Sequence, residues 1–164
     1  MILHAGLIAR RAFGGWRGVL IEGPSGAGKS DLALKALQRG WRLVADDRTL
    51  IWRDDGRLWG RAPDVLAGLI EARGVGVVAA DRLTFAEIAL VVHCAAAEDI
   101  ERMPDPASWS ALGICLPLVA LVALEESATA KLEQALAGVL DSWDNRRIKR
   151  RAPAESSPDA GGVP

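Results

Sequence analysis

The stretch Gly23-Pro24-Ser25-Gly26-Ala27-Gly28-Lys29-Ser30 matches G-x-x-x-x-G-K-[ST] in full and constrains the fold more than any other feature of the chain. Its glycines let consecutive backbone N–H groups turn inward around an anion, and a helix starting behind them adds the positive end of its dipole. Lys29 suits the β and γ phosphates as a point charge, and the Ser30 hydroxyl suits Mg²⁺. Such a loop works only between a strand and a helix. Val19-Leu20-Ile21 before it is a short apolar run, and Asp31 to Arg39 after it has helical spacing with Gly40 as a stop. All eight residues from Gly23 to Ser30 are therefore read as a cradle for a nucleoside triphosphate, ATP being the expected ligand. The bland alternative, a glycine-rich turn with an exposed lysine, does not explain the flanks.

The remaining sequence alternates strands and helices, which predicts an α/β fold with a mixed central sheet. Leu3 to Ala9 and Gly18 to Ile21 read as strands joined near Gly14-Gly15. Leu43 to Ala45 is a short buried strand, and Leu50 to Trp59 a β-hairpin turning at Asp-Gly, where positive φ is tolerated. Gly76 to Ala80, Glu87 to Val92 and Ile114 to Ala123 follow as strands, the last broken near Pro117. Ala128, Leu132, Ala135, Leu136, Val139, Leu140 and Trp143 share one helical face, so residues 126–144 form a closing C-terminal helix.

A chain of 164 residues, half of them apolar, favours a single core. Twenty basic against 21 acidic residues give a net charge of −1, which argues against nucleic-acid binding driven by bulk charge. No apolar run approaches the roughly 18 residues of a membrane span. The opening Met1-Ile-Leu-His-Ala-Gly lacks the features of a signal peptide. Cys94 and Cys115 have no metal-ligand spacing and fit buried thiols in a reducing compartment. The expectation is a cytoplasmic domain over residues 1–145, without a membrane partner. Residues 146–151, Arg-Arg-Ile-Lys-Arg-Arg, are a basic cluster, and 152–164 read as a disordered tail. Without the five positives and two negatives after Asn145 the body carries −4. The cluster is a solvated helix end or, more sharply, a handle for an acidic partner.

A phosphate loop alone names no reaction; phosphoryl transfer also needs a metal-side carboxylate and a group to take the proton of the nucleophile. Asp46 and Asp47 end the strand Leu43-Val-Ala, where ligands gather in open α/β sheets. Glu71-Ala-Arg73-Gly74-Val-Gly76 brings a third acid just before a strand, readable either as a site residue or as a solvated Glu–Arg turn.

Taken together, these pieces resemble the C-terminal catalytic domain of HPr kinase/phosphorylase, especially the short forms without its N-terminal domain. The matching stretches are His4-Ala-Gly, Gly18 to Ser30, Arg39-Gly-Trp-Arg-Leu-Val-Ala-Asp46-Asp47 and Glu71-Ala-Arg-Gly-Val-Gly-Val77. The resemblance covers roughly residues 2–144 and implies a P-loop kinase-like fold. It implies that Asp47 accepts the proton of a substrate serine, that Ser30, Glu71 and Asp46 serve Mg²⁺, and that Lys29 holds phosphates. His4 would lie by the reacting phosphate, and Arg102, in Glu-Arg-Met-Pro, would be the arginine placed after the later strand. His93 reads as a core or edge residue. The implied activity is Mg·ATP-dependent serine phosphorylation of an HPr-like phosphocarrier of a bacterial phosphotransferase system, by a homo-oligomer of hexameric type.

Departures accompany the likeness. Residues around Gly14 to Arg17 add four positions, and Pro117 to Glu126 contains no arginine where the family places the arginine-bearing loop tied to phosphorolysis. Kinase activity is thus expected to carry over better than the reverse reaction. The rivals are a small-molecule P-loop kinase, disfavoured because residues 103–145 lack a lid's arginines, and a nucleotide-binding regulator that transfers nothing. The six tryptophans read as core and interface anchors, with adenine stacking as a minor role for one.

Overall fold

The structure, a computed structural model, describes the backbone of residues 1–151 and the side chains of residues 1–143. The expected tail at 152–164 lies outside the described residues. In chain order the elements are β1 (Ile2–Leu3), β2 (Gly6–Ala12), β3 (Gly15–Glu22), α1 (Lys29–Leu37), β4 (Arg42–Ala45), β5 (Thr49–Asp54), β6 (Arg57–Arg61), β7 (Leu69–Ala72), β8 (Gly76–Ala79), β9 (Ala86–Cys94), β10 (Ala107–Ala111), β11 (Ile114–Leu121) and α2 (Ala128–Arg151).

At the centre lies β9, Ala-Glu-Ile-Ala-Leu-Val-Val-His-Cys, buried along nearly its whole length. Strands covered on both faces read as such continuous apolar runs. It runs parallel to β3 and to β11, and antiparallel to β6. The sheet continues from β3 through β2 to β4 and from β6 through β5 to β1, so it is mixed. Two apolar layers fill its faces. One joins Ile21, Leu90 and Val92 to Leu32 and Ala36 of α1 and to Leu132, Leu136 and Leu140 of α2. The other joins Leu20, Ile88 and Val91 to Ile51 and Leu58 of the β5–β6 hairpin. Fully buried side chains such as Leu32 and Leu90 each contribute about 1.5–3 kcal/mol. The parallel strands put their carboxyl ends, and hence the phosphate loop, on one rim.

The segment read as one strand from Leu3 to Ala9 is two: Ile2–Leu3 pairs with β5, while β2 begins at Gly6 and pairs with β3. Phe13 and Gly14, both at positive φ, form the tight turn of a long hairpin from Gly6 to Ile21. The additional residues at 14–17 thus lengthen a hairpin and leave the loop itself unchanged. Pro117 does not break β11. It pairs with Ser108 of β10, and the ladder to β9 begins only at Leu118, so the strand passes through Pro117 with a partner on one side. Strand β10 carried little signal, being Ala-Ser-Trp-Ser-Ala without a β-branched residue. Glu71 stands in a strand rather than a turn, since β7 and β8 form a separate two-stranded ribbon. Helix α2 runs on to Arg151, through the boundary placed at 145. Cys94 is buried but Cys115 is exposed, opposite Ser110 beside the β10–β11 turn, which corrects the expectation for that thiol. Among the tryptophans Trp41 is fully buried; Trp16 and Trp109 pack partly against the second layer. No described helix is long and apolar enough to cross a membrane.

Candidate active site

The loop from Gly23 to Gly28 leaves the end of β3 and enters α1 directly. Two glycines are dictated by their surroundings. Gly23 has φ 138°, and a Cβ there would sit 2.7 Å from the Cys94 carbonyl oxygen. Gly28, the N-cap of α1 at φ 88°, would press a Cβ to 2.8 Å from Leu124. Only glycine fits such a pair of close approaches. The Lys29 ammonium donates to the carbonyls of Gly23 (2.9 Å) and Pro24 (3.0 Å), which folds it back over the loop. Beneath, burial pushes the Cys94 thiol up from 9.0 to about 11, with the charge of Lys29 opposing the shift and that of Glu22 adding to it.

The two adjacent aspartates meet opposite fates. Asp46 is nearly buried; one carboxylate oxygen accepts the Ser30 hydroxyl at 2.9 Å and the other the Glu71 backbone N–H at 3.0 Å. It ties the first turn of α1 to the β7–β8 ribbon. Asp47 is exposed and sits at φ 62°, with the Arg48 N–H bonded back to the Asp46 carbonyl at 2.7 Å. This is a γ-turn of the positive-φ kind, a rare and strained conformation of about 1–3 kcal/mol. It turns the Asp47 side chain into the cleft, where Oδ1 lies 2.5 Å from His4 Nε2.

An open cleft of ≈ 150 Å³ gathers His4, Ser25, Gly26, Gly28, Lys29, Ser30, Asp31, Asp47, Glu71, Arg73 and Leu124. The structure therefore brings together His4, Lys29, Ser30, Asp47 and Glu71, which lie far apart in sequence. Arg102 is exposed in the segment between Asp99 and Ala107 and is not among the lining residues; Arg73 is the arginine there. No tryptophan lines the cleft. His93 is half-buried and bonded to Glu22 at 3.2 Å, while Trp109 donates to the same carboxylate at 3.1 Å. Sequence reasoning passed over Leu124 and over Lys35, whose ammonium donates to the carbonyls of Ala123, Leu124 and Glu125 at 3.2–3.4 Å. No local motif marks either.

A family profile described as the HPr Serine kinase C-terminal domain matches residues 11–104, more than half of the chain. The chain belongs to this family. Among curated relatives, an HPr kinase/phosphorylase of Streptococcus thermophilus is 53% identical over 62 residues, 37% of this chain and 20% of the relative. One of Clostridium beijerinckii is 39% identical over 104 residues, 59% of this chain and 32% of the relative. The chain thus spans a fifth to a third of the curated relatives it matches. The solved HPr(Ser) kinase/phosphatase of Coxiella burnetii superposes with a TM-score of 0.75 at 22% identity, over 92% of this chain and 99% of that one. That likeness establishes the P-loop kinase-like fold of this HPr kinase-family domain. Its profile match includes the phosphate loop, the aspartate pair and Glu71, while His4 and Leu124 fall outside it.

Proposed function

We propose that this HPr kinase-family domain transfers the γ-phosphoryl group of ATP to a serine hydroxyl of an HPr-like phosphocarrier. The observation that carries the reading is the strained Asp47, aimed into the same cleft as the phosphate loop and hydrogen-bonded to His4. A serine hydroxyl is a poor nucleophile, and a carboxylate within hydrogen-bond reach takes its proton as transfer proceeds, an effect of about 10²–10⁴ in rate. Asp47 is that base, and His4 orients it. Lys29 and the N-terminus of α1 hold the phosphates and oppose the charge that spreads over them. The phosphoserine formed would add about −1.5 to −2 charges to the carrier, enough to reset its docking by repulsion.

The oxygen donors fit Mg²⁺. Among the described residues no group of three or more His, Cys, Asp and Glu side chains is arranged to hold a metal alone. Mg²⁺ seldom takes such a cage, keeping waters and phosphate oxygens beside one or two protein ligands. Ser30 and Glu71 would hold it, with Asp46 fixing the Ser30 hydroxyl and the Glu71 backbone. When bound, the ion would neutralise charge on the phosphate oxygens. Arg73 is the one arginine among the cleft-lining residues, and the Glu125 carboxylate is paired with Lys131. Phosphorolysis must hold inorganic phosphate beside phosphoserine, two anions that repel, so the forward reaction is the favoured direction here.

The test incubates the protein with γ-labelled ATP and a purified HPr-like carrier. Label on a carrier serine is expected. Label on a small molecule would favour the rival kinase class, and tight nucleotide binding without any transfer would favour a regulator.

A further inference from the structure

Leu124 is the one apolar side chain among the residues that line the cleft. It is also 61% exposed, whereas Ala123 before it is 1% exposed. Its backbone is nonetheless fixed. Lys35 of α1 reaches across to three successive carbonyls, those of Ala123, Leu124 and Glu125, and the Glu125 N–H returns to the Val122 carbonyl. The leucine is thus an exposed apolar group on a braced loop. It stands against Gly28, where a Cβ would come within 2.8 Å of its Cδ2, beside the helix start that receives phosphates.

A nucleotide has an anionic end and a nucleoside end with apolar faces. The rest of the lining is polar or charged, apart from glycine, and no aromatic ring other than that of His4 reaches it. We propose that Leu124 is the platform against which the nucleoside of the bound nucleotide packs, a role that rests on the nucleotide-binding reading above. A second consequence follows from the same contacts. The Leu124 side chain offers no hydrogen bond to a base edge, and the carbonyls of its loop already serve Lys35. Specificity in pockets comes from a few placed polar groups, so the site discriminates weakly between purine bases.

The experiment measures dissociation constants of ADP, GDP and inorganic pyrophosphate by calorimetry, with Mg²⁺ present, for the full chain and for Leu124→Ala and Leu124→Met. Leu124→Ala is expected to weaken ADP and GDP about fivefold each, the loss of one partly buried apolar contact, and to leave pyrophosphate within about twofold. Leu124→Met restores ADP binding. Equal weakening of pyrophosphate would make Leu124 a shaper of the phosphate loop and overturn the proposal, as would unchanged ADP binding. A preference of more than about tenfold between ADP and GDP would overturn its second half. If Leu124→Ala does not melt like the parent chain, Leu124→Thr replaces it in the same three titrations. A parent chain that binds pyrophosphate but not ADP overturns the platform while sparing the loop; one that binds neither overturns the nucleotide reading itself.

Discussion

The parallel pair β3–β9 carries charges at both ends, and the two ends treat them in opposite ways. At the amino end Glu87, whose side chain is 7% exposed, bonds Arg17 at 2.8 Å and has Arg57 at 3.6 Å. The charges there are closed on one another. At the carboxyl end Asp47 and His4 form a pair exposed by 58% and 59%, held up by a strained backbone, and Glu71 and Arg73 face the same open cleft. Both ends hold ion pairs, so an ion pair by itself marks nothing. What separates them is exposure joined to strain: the first end closes its charges on one another, the second leaves them open in a cleft.

The largest expected effect sharpens this contrast. Asp47→Asn keeps the shape and removes the proposed base, so phosphoryl transfer should fall by about 10²–10⁴ while nucleotide affinity and melting temperature stay near those of the parent. A transfer assay beside calorimetry checks it, and near-normal transfer would take Asp47 out of the base role. At the other end Glu87→Gln leaves the partly buried Arg17 guanidinium, 14% exposed, without its counter-charge. Breaking such a pair costs about 3–5 kcal/mol, read by urea unfolding at constant m-value. If that variant instead lost transfer with its stability intact, the division between the two ends would collapse.

How much of this could be read from residues alone follows from the range of the interactions. The phosphate loop, α1 with its Gly40 stop, and the Asp55-Gly56 hairpin were legible because each is encoded within a few neighbouring positions. The aspartate pair was legible as a pair from its own residues, whereas separate roles for the two came only from the family resemblance. Asp46 is set by partners 16 and 25 positions away, Ser30 and Glu71. The strain that turns Asp47 outward is a backbone angle, which no local pattern announces. Leu124 lies one position past the strand predicted at Ile114 to Ala123, in a stretch marked only by its lack of arginine, because only the folded chain brings it against Gly28; Lys35 is joined to its loop over a span of 88 to 90 residues. Arg102 illustrates the converse: no local motif anchors it, its role comes from the resemblance alone, and the arginine lining this cleft is Arg73.

The open end also has a closed floor, and alkaline titration separates the two. Cys94 lies fully buried beneath Gly23, its thiol pushed up to about 11 by that burial. Because the folded value lies above the unfolded one, the stabilisation is complete below about pH 9 and is lost as pH rises toward 11. The unfolded chain releases that proton first. Stability should therefore fall by on the order of 2 kcal/mol more in the parent chain than in Cys94→Ala over that interval. Parallel stability curves for the two would mean that the thiol does not distinguish the folded from the unfolded state.

The smallest effect is the one that decides to which end Glu71 belongs. Its backbone N–H is committed to Asp46, which is a structural bond, while its side chain faces the cleft, where a ligand would sit. Glu71→Gln preserves the backbone bond and the volume and changes only the charge. A hard cation binds anionic oxygen far better than an amide. The Mg²⁺ concentration for half-maximal transfer should then rise by about three- to tenfold, on the order of one kcal/mol, with the maximal rate recovered at high Mg²⁺ and the melting temperature unchanged. A lowered melting temperature with an unmoved Mg²⁺ curve would place Glu71 with Glu87, among the charges that serve the fold. The two readouts respond to different links: the melting curve reads the Asp46 bond and the ribbon it anchors, whereas the Mg²⁺ titration reads the carboxylate alone.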